Sequence, residues 1–365
     1  MTTTCIAIDS RSRYRGCLLG GAVGDALGAP VEFLSREEIR RRFGARGISD
    51  YVPAYGRLGS ITDDTQMTLF TAEGLMRGLV RQAWRGMASP EVMVGAAYLR
   101  WLHTQGEKPS TRHEAMLDGW MMFHRELFHR RAPGNTCLEA LCAKESAGCA
   151  AHNDSKGCGG VMRVAPVGLF TLAQHGSPVP LQDFDWGCSF SRLTHGHPSG
   201  ILPGGVFAVL VGMLAGGGAL DEALGVAIGL LKERPSHAET LTALERARES
   251  AASGMDAVRA IDALGQGWVA EEALAISVYC ALVSRSFEAG VLLAVNHSGD
   301  SDSTGAITGN LLGAALGIDA IPDRWLAPLE LREVITQVAD DLHDLRTSRN
   351  DDPDLEKIGA RYPGW

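Results

Sequence analysis

GCLLGGAVGDALG, residues 16–28, places glycine at 16, 20, 24 and 28. A spacing of four returns to one side of an α-helix, so the segment predicts a helix with a stripe free of side chains. Glycine inside a helix costs roughly 1 kcal/mol per position relative to alanine. Close helix–helix approach in the core offsets that cost. GNLLGAALG (309–317) repeats the pattern with glycine at 309, 313 and 317. Such an approach also draws the loops at the helix ends together.

Helical patterns dominate the rest of the chain. ALDEALGVAIGLLKERP (219–235) is amphipathic and stops at a proline, and HAETLTALERARESAA (237–252) follows the same pattern. EEALAISVYCALV (271–283) is apolar nearly all round, which predicts a buried helix. SREEIRRRFG (35–44) carries a Ser–x–x–Glu capping box and a glycine stop. Alternating β-branched runs are scarce, and no fixed-period repeat or low-complexity linker interrupts the chain. The expectation is an all-α, single-domain fold over residues 15–345. Residues 1–14 form an N-terminal extension and 346–365 a polar tail, surface-bound or partly loose. Residues 104–160 are rich in proline, glycine and polar groups and are expected to be largely irregular surface.

Of the 365 residues, 45% are hydrophobic and 21% charged, an ordinary globular composition. No charge-free apolar run of membrane-spanning length and no signal-peptide pattern is read, so a cytoplasmic protein that inserts in no membrane is expected. The formal net charge of −9 disfavours sequence-blind nucleic-acid binding, which needs cationic side chains against phosphates. The eight cysteines (5, 17, 137, 142, 149, 158, 188, 280) show no C-x-x-C pair and are expected to be reduced and mostly buried.

Chemistry concentrates in two acidic stretches. NHSGDSDSTG (296–305) holds Asp300 and Asp302 among hydroxyl residues with no Lys or Arg, and ITDDTQMTLFTAEGL (61–75) holds Thr62, Asp63 and Asp64. Each opens a predicted helix, where one Asp would cap the end and favour the helix dipole. Capping explains one Asp of a pair better than two. Four carboxylates brought together repel unless cations lie between them. Carboxylate and hydroxyl oxygens suit Mg²⁺, Mn²⁺ or Ca²⁺ over Zn²⁺, and two ions fit so many ligands. Glu32 is a further acid just beyond the first glycine helix. Asp25, inside that helix, reads as a buried carboxylate that caps a loop.

NDSKGCGGVMRVAPVGLF (153–170) is a glycine-rich loop entering an apolar segment. Gly157, Gly159 and Gly160 would admit a ligand's phosphates to backbone amides, with Arg163 to pair a carboxylate or phosphate; a tight turn before a buried helix is the equal alternative. It is not the phosphate-binding G-x-x-x-x-G-K-[S/T] loop. His195 and His197 in SRLTHGHPSGILPGG (191–205) could ligate a metal, but read better as hydrogen-bonding turn histidines. HRELFH (124–129) spaces its histidines by five and is not the H-E-x-x-H zinc pattern.

Taken in order, GCLLGGAVGDALGAPVEF, ITDDTQMTL, SKGCGGVMRVAPVG, THGHPSG and NHSGDSDSTGAITGNLLGA resemble the ADP-ribosylglycohydrolases over residues 15–320. The resemblance implies an all-α orthogonal multi-helix bundle with two Mg²⁺ or Mn²⁺ ions. It assigns Thr62, Asp63, Asp64, Asp300, Asp302 and Ser303 as metal ligands; many members carry Thr in place of Ser303, so the hydroxyl is kept. It assigns Asp63, Asp64, Asp302 and Glu32 to catalysis. It assigns Gly157, Gly159, Gly160, Met162, Arg163 and His195 to ADP-ribose, with Glu32 over the metals. The implied activity is removal of ADP-ribose from arginine on a modified protein, THGHPSG being similar to the arginine-specific branch. Serine linkages, poly(ADP-ribose) and O-acetyl-ADP-ribose stay open. So does an immunity-type role against an ADP-ribosyltransferase partner; a two-metal phosphohydrolase is a more distant alternative. A monomer is expected.

Overall fold

The computed structural model describes residues 8–108, 117–345 and 353–364. Within them the chain is helical, with no β-strand. The helices in order are α1 (Ser10–Gly28), α2 (Arg36–Phe43), α3 (Asp63–Arg85), α4 (Pro90–Thr104), α5 (Asn135–Cys142) and α6 (Ala165–His175). Next come α7 (Pro180–Arg192), α8 (Pro198–Ala215), α9 (Leu220–Lys232), α10 (Ala238–Ser253), α11 (Ala257–Leu264) and α12 (Ala270–Val283). The last are α13 (Phe287–Val295), α14 (Ser301–Leu316), α15 (Asp323–Leu326), α16 (Arg332–Asp344) and α17 (Pro353–Arg361).

The two glycine stripes pack against each other. A Cβ at Gly16 would strike the backbone of Gly313 and Gly317, one at Gly20 that of Gly309, and one at Gly24 that of Gly305. From the other side, a Cβ at Gly305 would stand 2.5 Å from the Gly24 carbonyl oxygen. As one number rises the other falls, so α1 and α14 run antiparallel with their backbones in contact. Gly305, outside the 309–317 pattern, extends the second stripe by one turn. The end of α1 at Gly28 thereby lies on the backbone of Ser301 and Asp302, at the start of α14. The same device recurs where Gly168 of α6 meets Ala208 and Gly212 of α8, and where Gly187 of α7 meets Gly204.

One large core runs through α1, α3, α4, α6, α8, α12, α14 and α16, and a small second cluster lies under α10, α11 and α12. α8 corrects a sequence expectation. It is long and apolar enough to cross a membrane, yet 89% of it is buried inside the protein, as a central core helix would be. α12 is buried as predicted. α2 shows the full capping box: Ser35 Oγ accepts from the Glu38 amide at 3.2 Å, Glu38 Oε2 accepts from the Ser35 amide at 3.2 Å, and Gly44 ends it at φ +88°. Of the C-terminal stretch, residues 353–364 dock on the body: Leu355, Ile358 and Tyr362 are buried, and Tyr362 donates to Asp341 at 2.9 Å. The seven described cysteines are free thiols, of which Cys17, Cys137 and Cys280 are buried; Cys5 lies outside the described residues.

Candidate active site

The antiparallel glycine contact explains why the acids meet. It sets the turn after α1, which carries Glu32, against the start of α14, which carries Asp300, Asp302 and Ser303. The start of α3 is tied to the same place by Asp25. Its carboxylate accepts from the Thr62 amide at 3.0 Å, the Thr65 amide at 3.2 Å and the Thr65 hydroxyl at 2.5 Å. Asp25 therefore holds the loop as its position within α1 suggested. From the far side Arg131, paired with buried Glu330, donates to the Ile61 carbonyl at 3.0 Å, and Glu330 accepts from the Ile61 amide at 3.1 Å. Both helix starts are capped: Thr62 Oγ1 accepts from the Asp64 amide at 3.3 Å, and Asp300 accepts from the Ser303 amide at 3.2 Å. Capping thus accounts for Thr62 and Asp300. It leaves Asp63, Asp64 and Asp302 to be explained.

These acids line a cleft of about 390 Å³ together with Phe33, residues 132–137, Gly157, Cys158, Gly159, Met162, His195 and Trp268. Asp63, Asp64, Asp300 and Asp302 are buried. Among the described residues none of the cleft acids, nor Asp25, has Lys or Arg at ion-pair distance. Burial first, and the Asp302 charge second, push Asp63, Asp64 and Asp300 well above the usual carboxylate range. Glu32 is pushed up to about 11 by burial, then by Asp302, Asp300 and Asp63, and Asp25 to about 7 by burial and Asp302. Glu32 Oε2 and Asp64 Oδ1 are buried with no hydrogen-bond partner. Unpaired buried carboxylate oxygens cost several kcal/mol and call for a cation.

A hard divalent ion fits this donor set of carboxylate and hydroxyl oxygens. Among the described residues no three His, Cys, Asp or Glu side chains are grouped as a metal site by themselves, so hydroxyl oxygens such as those of Thr62 and Ser303 belong to any donor set here.

The glycine-rich loop has a role that spacing did not reveal. A Cβ at Gly157, Gly159 or Gly160 would stand 3.2–3.3 Å from an atom of the His195 ring. A Cβ at Gly159 or Gly160 would stand closer still to Cys137 Sγ, at 2.7 Å, or to the Gly200 carbonyl oxygen, at 2.8 Å, so the loop closes around the imidazole, whose Nδ1 pairs with Thr194 Oγ1 at 2.8 Å. Burial, then the Arg163 charge, lowers its pKa to about 3, so it stays neutral. Arg163 and Gly160 do not line the cleft. The Arg163 guanidinium is fully buried behind the loop, 4.3 Å over the Tyr98 ring, donating to the Phe190 carbonyl at 3.1 Å and the Thr194 hydroxyl at 2.6 Å. In this arrangement it holds the Phe190 carbonyl and Thr194 from behind the loop. His197 is a turn histidine as expected; its Nδ1 accepts from the Ser199 amide at 3.0 Å and caps α8.

Several cleft residues carried no sequence signal. Trp268 sits in a loop joined to both neighbours: its carbonyl accepts from the Cys158 amide at 3.2 Å, and the Gln266 carbonyl accepts from the Asp300 amide at 2.8 Å. Gly299, at φ +130°, lets that carbonyl pass where a side chain would collide. Cys158 Sγ donates to Asp300 Oδ2 at 2.8 Å. Residues 132–137 belong to the stretch expected to be irregular surface, yet they form a wall of the cleft, and the Gly134 amide donates to Asp63 at 3.3 Å. Phe33 (φ +66°) and Ala132 (φ +49°), two of the few described non-glycine residues in left-handed backbone, both line the cleft. Such strain concentrates at functional sites.

This all-helical frame with an uncompensated acidic cleft is that of a known hydrolase class. A family profile described as ADP-ribosylglycohydrolase matches residues 7–352, and the chain belongs to that family, whose members hydrolyse ADP-ribosylated substrates. It is 28% identical to the ADP-ribosyl-[dinitrogen reductase] glycohydrolase of Rhodospirillum rubrum, over 89% of this chain and 94% of that one. It is 25% identical to the ADP-ribosylarginine hydrolase Tri1 of Pseudomonas putida, over 96% of this chain and 82% of the relative. A solved structure titled ADP-ribosylglycohydrolase-related protein complex superposes with a TM-score of 0.63 at 27% identity, covering 93% of this chain and 99% of that one.

Proposed function

We propose that this chain removes ADP-ribose from arginine side chains of proteins. The observation that carries the proposal is the buried acidic cleft, with Glu32 Oε2 and Asp64 Oδ1 unpartnered. Relatives named for arginine-linked and dinitrogen-reductase substrates favour this linkage. Thr62, Asp63, Asp64, Asp300, Asp302 and Ser303 would hold two Mg²⁺ or Mn²⁺ ions. Bound there, these ions neutralise the carboxylates, hold ribose hydroxyls and lower the pKa of a water.

The bond to break joins ribose C1″ to the guanidino nitrogen, through an oxocarbenium-like state. Glu32, Asp63 or Asp64 takes a proton from the attacking water, whose oxygen bonds to C1″. The guanidine leaves with the bonding pair and a proton. Met162 and the backbone of Gly157 and Gly159 line the pocket beside the ribose. Neutral His195 offers Nε2 to a ribose or diphosphate oxygen. The proposed setting is the cytoplasm, with an ADP-ribosyltransferase as the source of the modified protein.

The test is release of free ADP-ribose from an arginine-ADP-ribosylated protein, followed by chromatography with Mg²⁺ or Mn²⁺ and with EDTA. Metal-dependent release is expected. Turnover of a serine-linked substrate or the polymer in its place would move the linkage. ADP-ribose binding without any release would favour the immunity-type role.

A further inference from the structure

Phe33 and Trp268 stack at the edge of the cleft, with ring centroids 5.3 Å apart and planes 20° apart. Both line the cleft, and both stay open to solvent, Phe33 at 68% and Trp268 at 38%. Nothing in the core needs Phe33. It is the residue after Glu32, it holds left-handed backbone that disfavours a bulky side chain, and its outer face touches water. Trp268 is fixed more firmly, since its indole N–H donates to Gln266 Oε1 at 3.2 Å and its loop is pinned to Cys158 and Asp300. A strained, exposed ring laid on a fixed one is a surface kept for something flat.

The neighbours say what kind of flat group. The rings line the same cleft as Asp63, Asp64, Asp300 and Asp302, a gathering of carboxylates that attracts a cation. A guanidinium is planar, always charged and weakly hydrated, and it stacks on aromatic faces. We infer that Phe33 and Trp268 form a platform for the guanidinium of the substrate arginine, and so help select an arginine linkage over a hydroxyl one. The inference rests on the arginine reaction proposed above and adds the residues that recognise its leaving group.

The test uses the full chain, wild type and Phe33→Leu, Trp268→Leu and Phe33→Tyr, with melting curves to show that each is folded. Three quantities are read: KM and kcat on an arginine-ADP-ribosylated peptide, inhibition by agmatine (a guanidinium compound without ADP-ribose), and calorimetric binding of free ADP-ribose. Each Leu variant is expected to raise KM and to weaken agmatine roughly tenfold, the size of a partly exposed cation–π contact. Phe33→Tyr restores both, and free ADP-ribose, which has no guanidinium, keeps its affinity. An equal loss of free ADP-ribose binding would mean that the rings hold the nucleotide, and would overturn the inference. So would agmatine inhibition indifferent to either Leu variant. A wild type that leaves arginine linkages intact, yet binds agmatine in a Phe33-dependent way, retires the arginine reaction and keeps the platform. A wild type that neither cleaves that linkage nor binds agmatine overturns both.

Discussion

The α1–α14 contact and the acidic cleft at its end are both buried, and each breaks a rule of local sequence preference. In the contact the offence is glycine inside helices, and the fold offsets it internally: two backbones touch along about three turns, from Gly16 and Gly313 to Gly28 and Ser301. In the cleft the offence is clustered carboxylates, and among the described residues no Lys or Arg stands at ion-pair distance to answer them. The first region is complete within the chain. The second leaves Glu32 Oε2 and Asp64 Oδ1 without a partner. A costly feature that the fold repays marks architecture, and one that it leaves open marks a site.

The comparison breaks most visibly at Gly24. Gly24→Leu places a side chain into the Gly305 backbone, where nothing flexible can yield. A loss of roughly 3 kcal/mol or more is expected in urea unfolding, or failure to fold. A stable, active variant would mean that the stripes do not need contact.

Asp302→Asn sharpens the other side. It removes the charge that most repels Asp63, Asp64 and Asp300, so the metal-free protein should melt higher than wild type. The same change should lower turnover roughly 10²–10⁴-fold. It should also abolish the stabilisation by Mn²⁺, which in wild type reaches about 2.7 kcal/mol at a hundredfold excess over Kd. Thermal shifts with Mn²⁺ and EDTA read both effects.

Asp183 offers a buried carboxylate away from the cleft. It accepts from Thr171 Oγ1, its Oδ2 has no partner, and burial pushes it up to about 8. A carboxyl whose folded pKa lies above its unfolded value stabilises fully below about pH 4, and that contribution is lost as pH rises to about 8. Asp183→Asn should therefore match wild type near pH 4. It should gain on it by up to about 1.4 kcal/mol per pH unit through this window. A constant difference across pH, measured by urea unfolding, would place the charge elsewhere. The smallest effect is expected at α2, where Ser35→Ala deletes the capping box and costs about 1 kcal/mol.

Much of this was legible because some signals are local. The 3.6-residue period marked α9 and α10, a run apolar nearly all round marked α12, the capping box marked α2, and the glycine period marked α1 and α14. The paired acids declared themselves through the absence of nearby Lys and Arg. Distance in the chain hid the rest. Phe33 and Trp268 lie more than two hundred residues apart, and nothing in PVEF or QGWV says that they touch. A loop sequence does not show which way a side chain turns, so the burial of Arg163 behind its loop is not legible in it. The charge-free helix α8 was passed over because glycine and proline break its apolar run, although the fold buries it at the centre.

By itself the sequence determined the helical class, the glycine faces and the family motifs, since each depends on the order of near neighbours along one helix or loop. Only the tertiary structure decided that Gly24 meets Gly305, that Asp25 and Glu330 hold the Asp63 loop, and that the loop glycines house His195 rather than only awaiting a phosphate. Those outcomes depend on which surfaces exclude water together, and burial of that kind belongs to the whole chain and to no segment of it.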